Sequence, residues 1–152
     1  MEKMDQYQLA QINIARARAA RDTEIMNGFV DRVDEINSLA DTFPGFIWRL
    51  QDEEGDATTI TAFDDPLLLI NMSVWEDIES LKNFVYKSIH VELIRDRDAW
   101  FHKMLNMHQA LWWIPAGHIP SVHEGKERLE YLQKHGPGKF AFTFAKPFEH
   151  DI

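Results

Sequence analysis

The chain has 152 residues, enough for one domain around one main core, and 45% of them are hydrophobic, far more than a disordered chain carries. Sixteen Lys and Arg against 25 Asp and Glu leave a net charge of −9, which argues against partners that are read through phosphates, whether nucleic acid or anionic lipid. The absence of Cys excludes disulfides, thiolate metal sites and a Cys nucleophile, and a single domain over residues 1–152 in the reducing cytoplasm is expected. No run approaches the ~18 apolar residues of a membrane-spanning helix. Aromatic residues make up 12% of the chain, including five Trp and ten Phe, and are read either as a Phe-rich core or as the lining of a pocket or interface.

In chain order, Tyr7 to Ile14 alternates loosely and predicts a first strand. From Met26, apolar residues recur at Phe29, Val30, Val33, Ile36, Ala40 and Phe43, the spacing of one helix face, until Pro44 and Gly45 stop it. Phe46 to Leu50 is the second strand, and Thr58 to Phe63 a short strand or hairpin arm. Leu67 to Trp75 is the strongest strand and is apolar on both faces, so helices can cover one face while the other needs a second sheet or a partner chain. That is the residue-level reason to expect a homodimer. Ile78, Leu81, Phe84, Val85 and Ile89 form a helical stripe, and a second stripe runs from Val91 to Leu105. Ala110 to Ile114 predicts a further strand, Ser121 and Glu124 a capping box opening a helix that carries Leu129 and Leu132 and stops at His135-Gly136-Pro137, and Phe140 to Phe144 a last strand. Two successive β-α-β units imply an α+β, ferredoxin-like layout: an antiparallel sheet with helices on one face and an extra C-terminal helix and strand.

Several segments together resemble a known family: Asn71 to Asp77 (NMSVWED), Phe84 to His90 (FVYKSIH), Trp100-Phe101, and Ala110 to His118 (ALWWIPAGH). Gly45 to Leu50 (GFIWRL), Asn37, Gly136-Pro137 and Ala141 to Phe144 (AFTF) add to the match. The chain is similar over Tyr7 to Phe148 to the bacterial domain of unknown function 3291, which in turn resembles the dimeric α/β barrel superfamily of antibiotic biosynthesis monooxygenase-like proteins. That resemblance implies a dimeric barrel and a pocket like those of cofactor-independent quinol monooxygenases and haem-degrading enzymes. Trp75 matches a Trp such proteins carry at the end of the third strand, and Asn13 the Asn of the haem-degrading members. Phe84 stands where those members place a catalytic Trp and Ile94 where they place the iron-ligating His, which argues against haem degradation.

Among candidate site residues, His90 lies at the junction of two helical stripes, where it could be a general base near neutral pH or a core His bonded to a backbone carbonyl. Asn71 shares a strand face with Trp75 and, if buried, must find partners; it could polarise a substrate carbonyl or merely tie down a loop. Trp48 and Arg49 should face opposite sides of their strand, Trp48 as a pocket wall and Arg49 in a salt bridge or, less favoured, as a carboxylate clamp. Trp112 and Trp113 likewise face opposite sides. Trp48, Arg49, Trp75, Phe84, Tyr86 and Trp113 form the expected substrate-binding set. No metal site is expected: His118 and His123 are five apart across Pro120, and His102 and His108 six apart, spacings no single helix presents on one face. There is no phosphate-binding Gly-rich loop, no G-x-S-x-G and no H-E-x-x-H.

Two functions remain on these residues. One is a small-molecule oxygenase without metal or cofactor, in which a deprotonated aromatic or quinol-like substrate itself supplies the electron to oxygen. The other is a non-catalytic or stress-related module holding a hydrophobic ligand in the same pocket.

Overall fold

The central strands form because alternate residues can be buried on opposite faces of one sheet. In a computed structural model, which describes residues 7–19, 23–51, 67–88, 95, 100–101 and 108–149, β1 (Tyr7–Arg16) lies between β3 (Leu68–Trp75) and β4 (Gln109–Pro115), and β2 (Phe46–Arg49) pairs with the far edge of β3. All pairings are antiparallel and the strand order is β2-β3-β1-β4, the ferredoxin-like arrangement of an α+β domain. The predicted arm from Thr58 to Phe63 and most of the stripe from Val91 to Leu105 lie outside the described residues. No helix among the described residues is long and apolar enough to cross a membrane.

Helices α1 (Asn27–Thr42) and α2 (Ile78–Lys87) cover one face of the sheet. Ile36, Leu39 and Ala40 from α1 and Ile78, Leu81, Phe84 and Val85 from α2 pack there on Leu9, Trp75 and Leu111. Helix α2 is started by Asp77, whose Oδ1 accepts a hydrogen bond from the Ser80 amide at 2.8 Å. The turn from α1 into β2 rests on Gly45, at φ +89°, where a side chain would collide with Ser80.

Helix α3 (Val122–His135) covers the opposite face. Its Leu129 and Leu132 are fully buried on Ala10, Ile12, Ile14, Ile70, Met72, Val74 and Trp112, and each such side chain contributes about 1.5–3 kcal/mol by leaving water. Gly125 brings the first turn of α3 close to the sheet: a Cβ there would sit 3.0 Å from Ile12 Cδ1 and from Met72 Sδ and Cε. The apolar second face of β3 is thus closed by the chain's own C-terminal helix. The partner chain inferred from that face is not required by it.

The last predicted strand, Phe140 to Phe144, is reduced to one bridge, Phe142 against Leu111 on the outer edge of β4. Turn hydrogen bonds, Gly138 to Ala141 and Lys146 to Thr143, fold the backbone on either side, and the Phe140 carbonyl is taken by Arg128. The alternation of Phe140, Phe142 and Phe144 reflects their packing, not a paired strand.

Candidate functional site

The face of the sheet beneath α1 and α2 divides along the strands. At one end, Trp75 and Trp113 flank Leu9 in register, and with Phe43, Phe46 and Phe84 they build a packed aromatic cluster. The Trp75 ring lies 5.2 Å from Phe84 and 5.4 Å from Phe46, and Trp75 is only 1% exposed. At the other end, Leu69 joins Phe29, Met26 and Trp100 in a separate apolar cluster. Between the two lies a band of neutral polar side chains, because β1 places Gln11 and Asn13, and β3 places Asn71 and Ser73, at alternate positions on this same face.

Register sets the band's order. Gln11 is opposite Ser73, and Asn13 stands between Asn71 on β3 and Gln109 on β4. The Trp75 indole N–H donates to Ser73 Oγ at 2.8 Å, and the Gln11 amide Nε2 donates to Ser73 Oγ at 2.9 Å and to Asn71 Oδ1 at 2.6 Å. These bonds use the Gln11 amide hydrogens and give Ser73 Oγ two donors, partners for two residues buried in an otherwise apolar sheet. The chain of bonds ends on Asn71, which is exposed rather than buried as the sequence suggested. With Oδ1 held by Gln11, the Asn71 Nδ2 has no partner among the described residues.

The expected substrate-binding set does not gather around one cavity. Trp48 lies on the α3 side of the sheet, packed with the cluster of Val74 and Trp112, and cannot share a pocket with Trp75. A β-bulge between Phe46 and Trp48 changes the phase of the strand: Phe46 pairs with Trp75, but Trp48 pairs with Val74. Arg49 is on the α1 side next to Ser73, and its guanidinium is engaged by Asp41 of α1 through Nε at 2.8 Å and Nη2 at 3.3 Å. This is the salt bridge expected of Arg49. Phe84 and Trp75 are core. Tyr86 is exposed on the outside of α2, 5.9 Å from Phe144, and Trp113 donates its indole N–H to the Phe148 carbonyl, so both face the C-terminal segment. His90 lies outside the described residues. Among the described site residues expected from the sequence, the catalytic candidate Asn71 is the exposed amide on the band; the only sequence signal for Gln11 and Ser73, which hold it, is their spacing of two from Asn13 and Asn71 on the central strands.

A second polar cluster lies at the start of α3. Ser121 Oγ accepts from the Glu124 amide at 3.0 Å, the first half of the predicted capping box. The Glu124 carboxylate does not complete the box. It accepts from the buried Trp112 indole at 2.9 Å and meets His118 Nε2 at 2.7 Å. Arg128 stacks 3.9 Å from the Phe140 ring, where burial lowers its pKa against the opposing pull of Glu124 and Glu127. His123 is exposed on the outer side of α3, apart from this cluster, and no group of three or more His, Asp or Glu among the described residues could hold a metal ion.

The fold and its polar band define a ferredoxin-like α+β domain whose sheet carries a neutral hydrogen-bonded strip on the face that also bears its two helices. The chain belongs to the family described as domain of unknown function (DUF3291), whose model matches residues 8–152. No curated protein matches it. Among solved structures it is similar to protein NE2512 of unknown function from Nitrosomonas europaea, at 12% identity over 77% of this chain and 98% of that one, with a TM-score of 0.49. It is also similar to PA3566 from Pseudomonas aeruginosa, at 12% identity over 78% and 100% of the two chains, TM-score 0.47. A third likeness, at 16% identity over 76% and 98%, TM-score 0.39, is to a candidate antibiotic biosynthesis monooxygenase from Chloroflexus aurantiacus J-10-fl.

Proposed function

We propose that the chain binds a small aromatic or quinol-like molecule on the polar band, on the sheet face that carries α1 and α2, and acts on it as a cofactor-independent monooxygenase in the cytoplasm, as a homodimer. The observation that carries this reading is Asn71, an exposed amide held by a buried hydrogen-bond chain in the middle of an apolar sheet face. Such a chain orders a donor in advance, which is how a site polarises a carbonyl or steadies developing negative charge on oxygen. On this reading His90 removes the substrate proton, Asn71 holds the resulting oxyanion, and the electron-rich substrate reduces oxygen itself.

One observation favours a second reading, a non-catalytic module that holds a hydrophobic ligand. Gln11, Asn13, Asn71, Ser73 and Gln109 contain no group that titrates near neutral pH, so on the enzyme reading proton abstraction falls to His90, outside the band. Replacing His90 by Ala and measuring both affinity and oxygen consumption on a panel of naphthoquinols separates the two. The enzyme reading expects binding to persist while turnover falls at least about 100-fold, as for loss of a general base. Binding by the unaltered protein with no oxygen uptake on any quinol would leave only the ligand-holding reading.

A further inference from the structure

Resting on the reading that the polar band is the ligand site, we infer that Gln11 and Ser73 are positioning residues that restrict the site to neutral ligands presenting an acceptor oxygen, such as a ketone or quinone carbonyl. The direction of the hydrogen bonds gives the reason. The Trp75 indole can only donate, so Ser73 Oγ accepts at that end. Gln11 Nε2 has two hydrogens and spends one on Ser73 Oγ and the other on Asn71 Oδ1. The acceptor atom of Asn71 is thereby turned inward and consumed, and its NH2 group is the end offered to a ligand.

Charge supplies the rest. The five band side chains are neutral, and the one cation that register brings beside Ser73, Arg49, is already paired with Asp41. A carboxylate or phosphate ligand would meet no free cation among these residues, and the chain's net charge of −9 would repel it. A neutral carbonyl needs only the donor that Asn71 provides.

The test measures affinities by calorimetry for two probes of similar shape, 1,4-naphthoquinone with two acceptor oxygens and naphthalene with none. The chain has no Cys, so the quinone cannot be trapped as a thiol adduct. The unaltered protein should prefer the quinone by about threefold to tenfold, the effect of one net hydrogen bond. Gln11→Leu frees the Asn71 amide to rotate and should bring the quinone down to the affinity of naphthalene, while naphthalene binding is unchanged. Ser73→Ala removes a single oxygen atom and should lower the same ratio should the Gln11 variant fail to fold. A merely structural role would weaken both probes together and leave the ratio intact. Equal affinities in the unaltered protein, or a ratio that survives both substitutions, overturns the positioning role while leaving the band as a ligand site. Failure of both probes to bind overturns the ligand-site reading as well.

Discussion

Gly125 offers a perturbation whose sign reports where α3 sits. Replacing a Gly inside a solvent-facing helix by Ala stabilises the helix by about 1 kcal/mol, because the backbone loses less freedom on folding. Here the added Cβ would meet Ile12 Cδ1, Met72 Sδ and Met72 Cε, each at 3.0 Å. All three atoms are at the ends of flexible side chains, so they can give by a few tenths of an ångström, and overpacking of this kind costs about 1–3 kcal/mol. The two effects leave Gly125→Ala between neutral and about 2 kcal/mol destabilised. Gly125→Leu keeps the same gain in helix propensity but pushes three more carbons against the sheet. Its loss should reach the top of that ~1–3 kcal/mol range or exceed it. Urea unfolding followed by circular dichroism gives both values from the midpoint shift at constant slope. A gain in stability for both variants would refute the packing of α3 on the sheet, and with it the closure of the second face of β3 within one chain.

Three further outcomes follow from the same packing. Glu124→Ala leaves the buried Trp112 indole without its acceptor and should cost about 1–3 kcal/mol in thermal or urea unfolding. Glu124→Gln keeps an acceptor for Trp112 and should lose clearly less, and equal losses would show that this bond is not the one that matters. Arg49→Ala removes a largely buried guanidinium from a half-exposed Asp41 and should cost about 1–3 kcal/mol. It should also leave 1,4-naphthoquinone affinity unchanged; a marked loss would return Arg49 to the ligand site. Light scattering at micromolar concentration decides whether two copies associate, and a monomer would remove the homodimer from the proposed function.

The sequence made the elements legible wherever one apolar period ran unbroken. The stripe from Phe29 to Phe43 became α1, the two-sided run to Trp75 became β3, and Ser121 did start α3. The faces were harder to read. The bulge in β2 reverses the phase between Phe46 and Trp48, and no count of alternate residues reveals an extra residue in a strand. The second face of β3 looked unpartnered because periodicity says that a face is apolar, not which element covers it. In α3 itself only Leu129 and Leu132 announced a buried side, while the close approach came from Gly125, which a hydrophobic pattern does not count. The polar band was half visible. Asn71 stood out in an apolar run, but Gln11 and Ser73 acquire meaning only from the pairing of β1 with β3, sixty-two residues apart in the chain.

Nitrogen-15 spectra of the side-chain amides during titration with 1,4-naphthoquinone decide whether the neutral band on the α1 and α2 face of the sheet is the ligand site. The NH2 signals of Asn71 and Gln11 should move together and saturate, while the indole signals of Trp48 and Trp112, across the sheet, stay in place. Saturating shifts confined to Trp48, Trp112 and α3, with Asn71 and Gln11 unmoved, would contradict that placement.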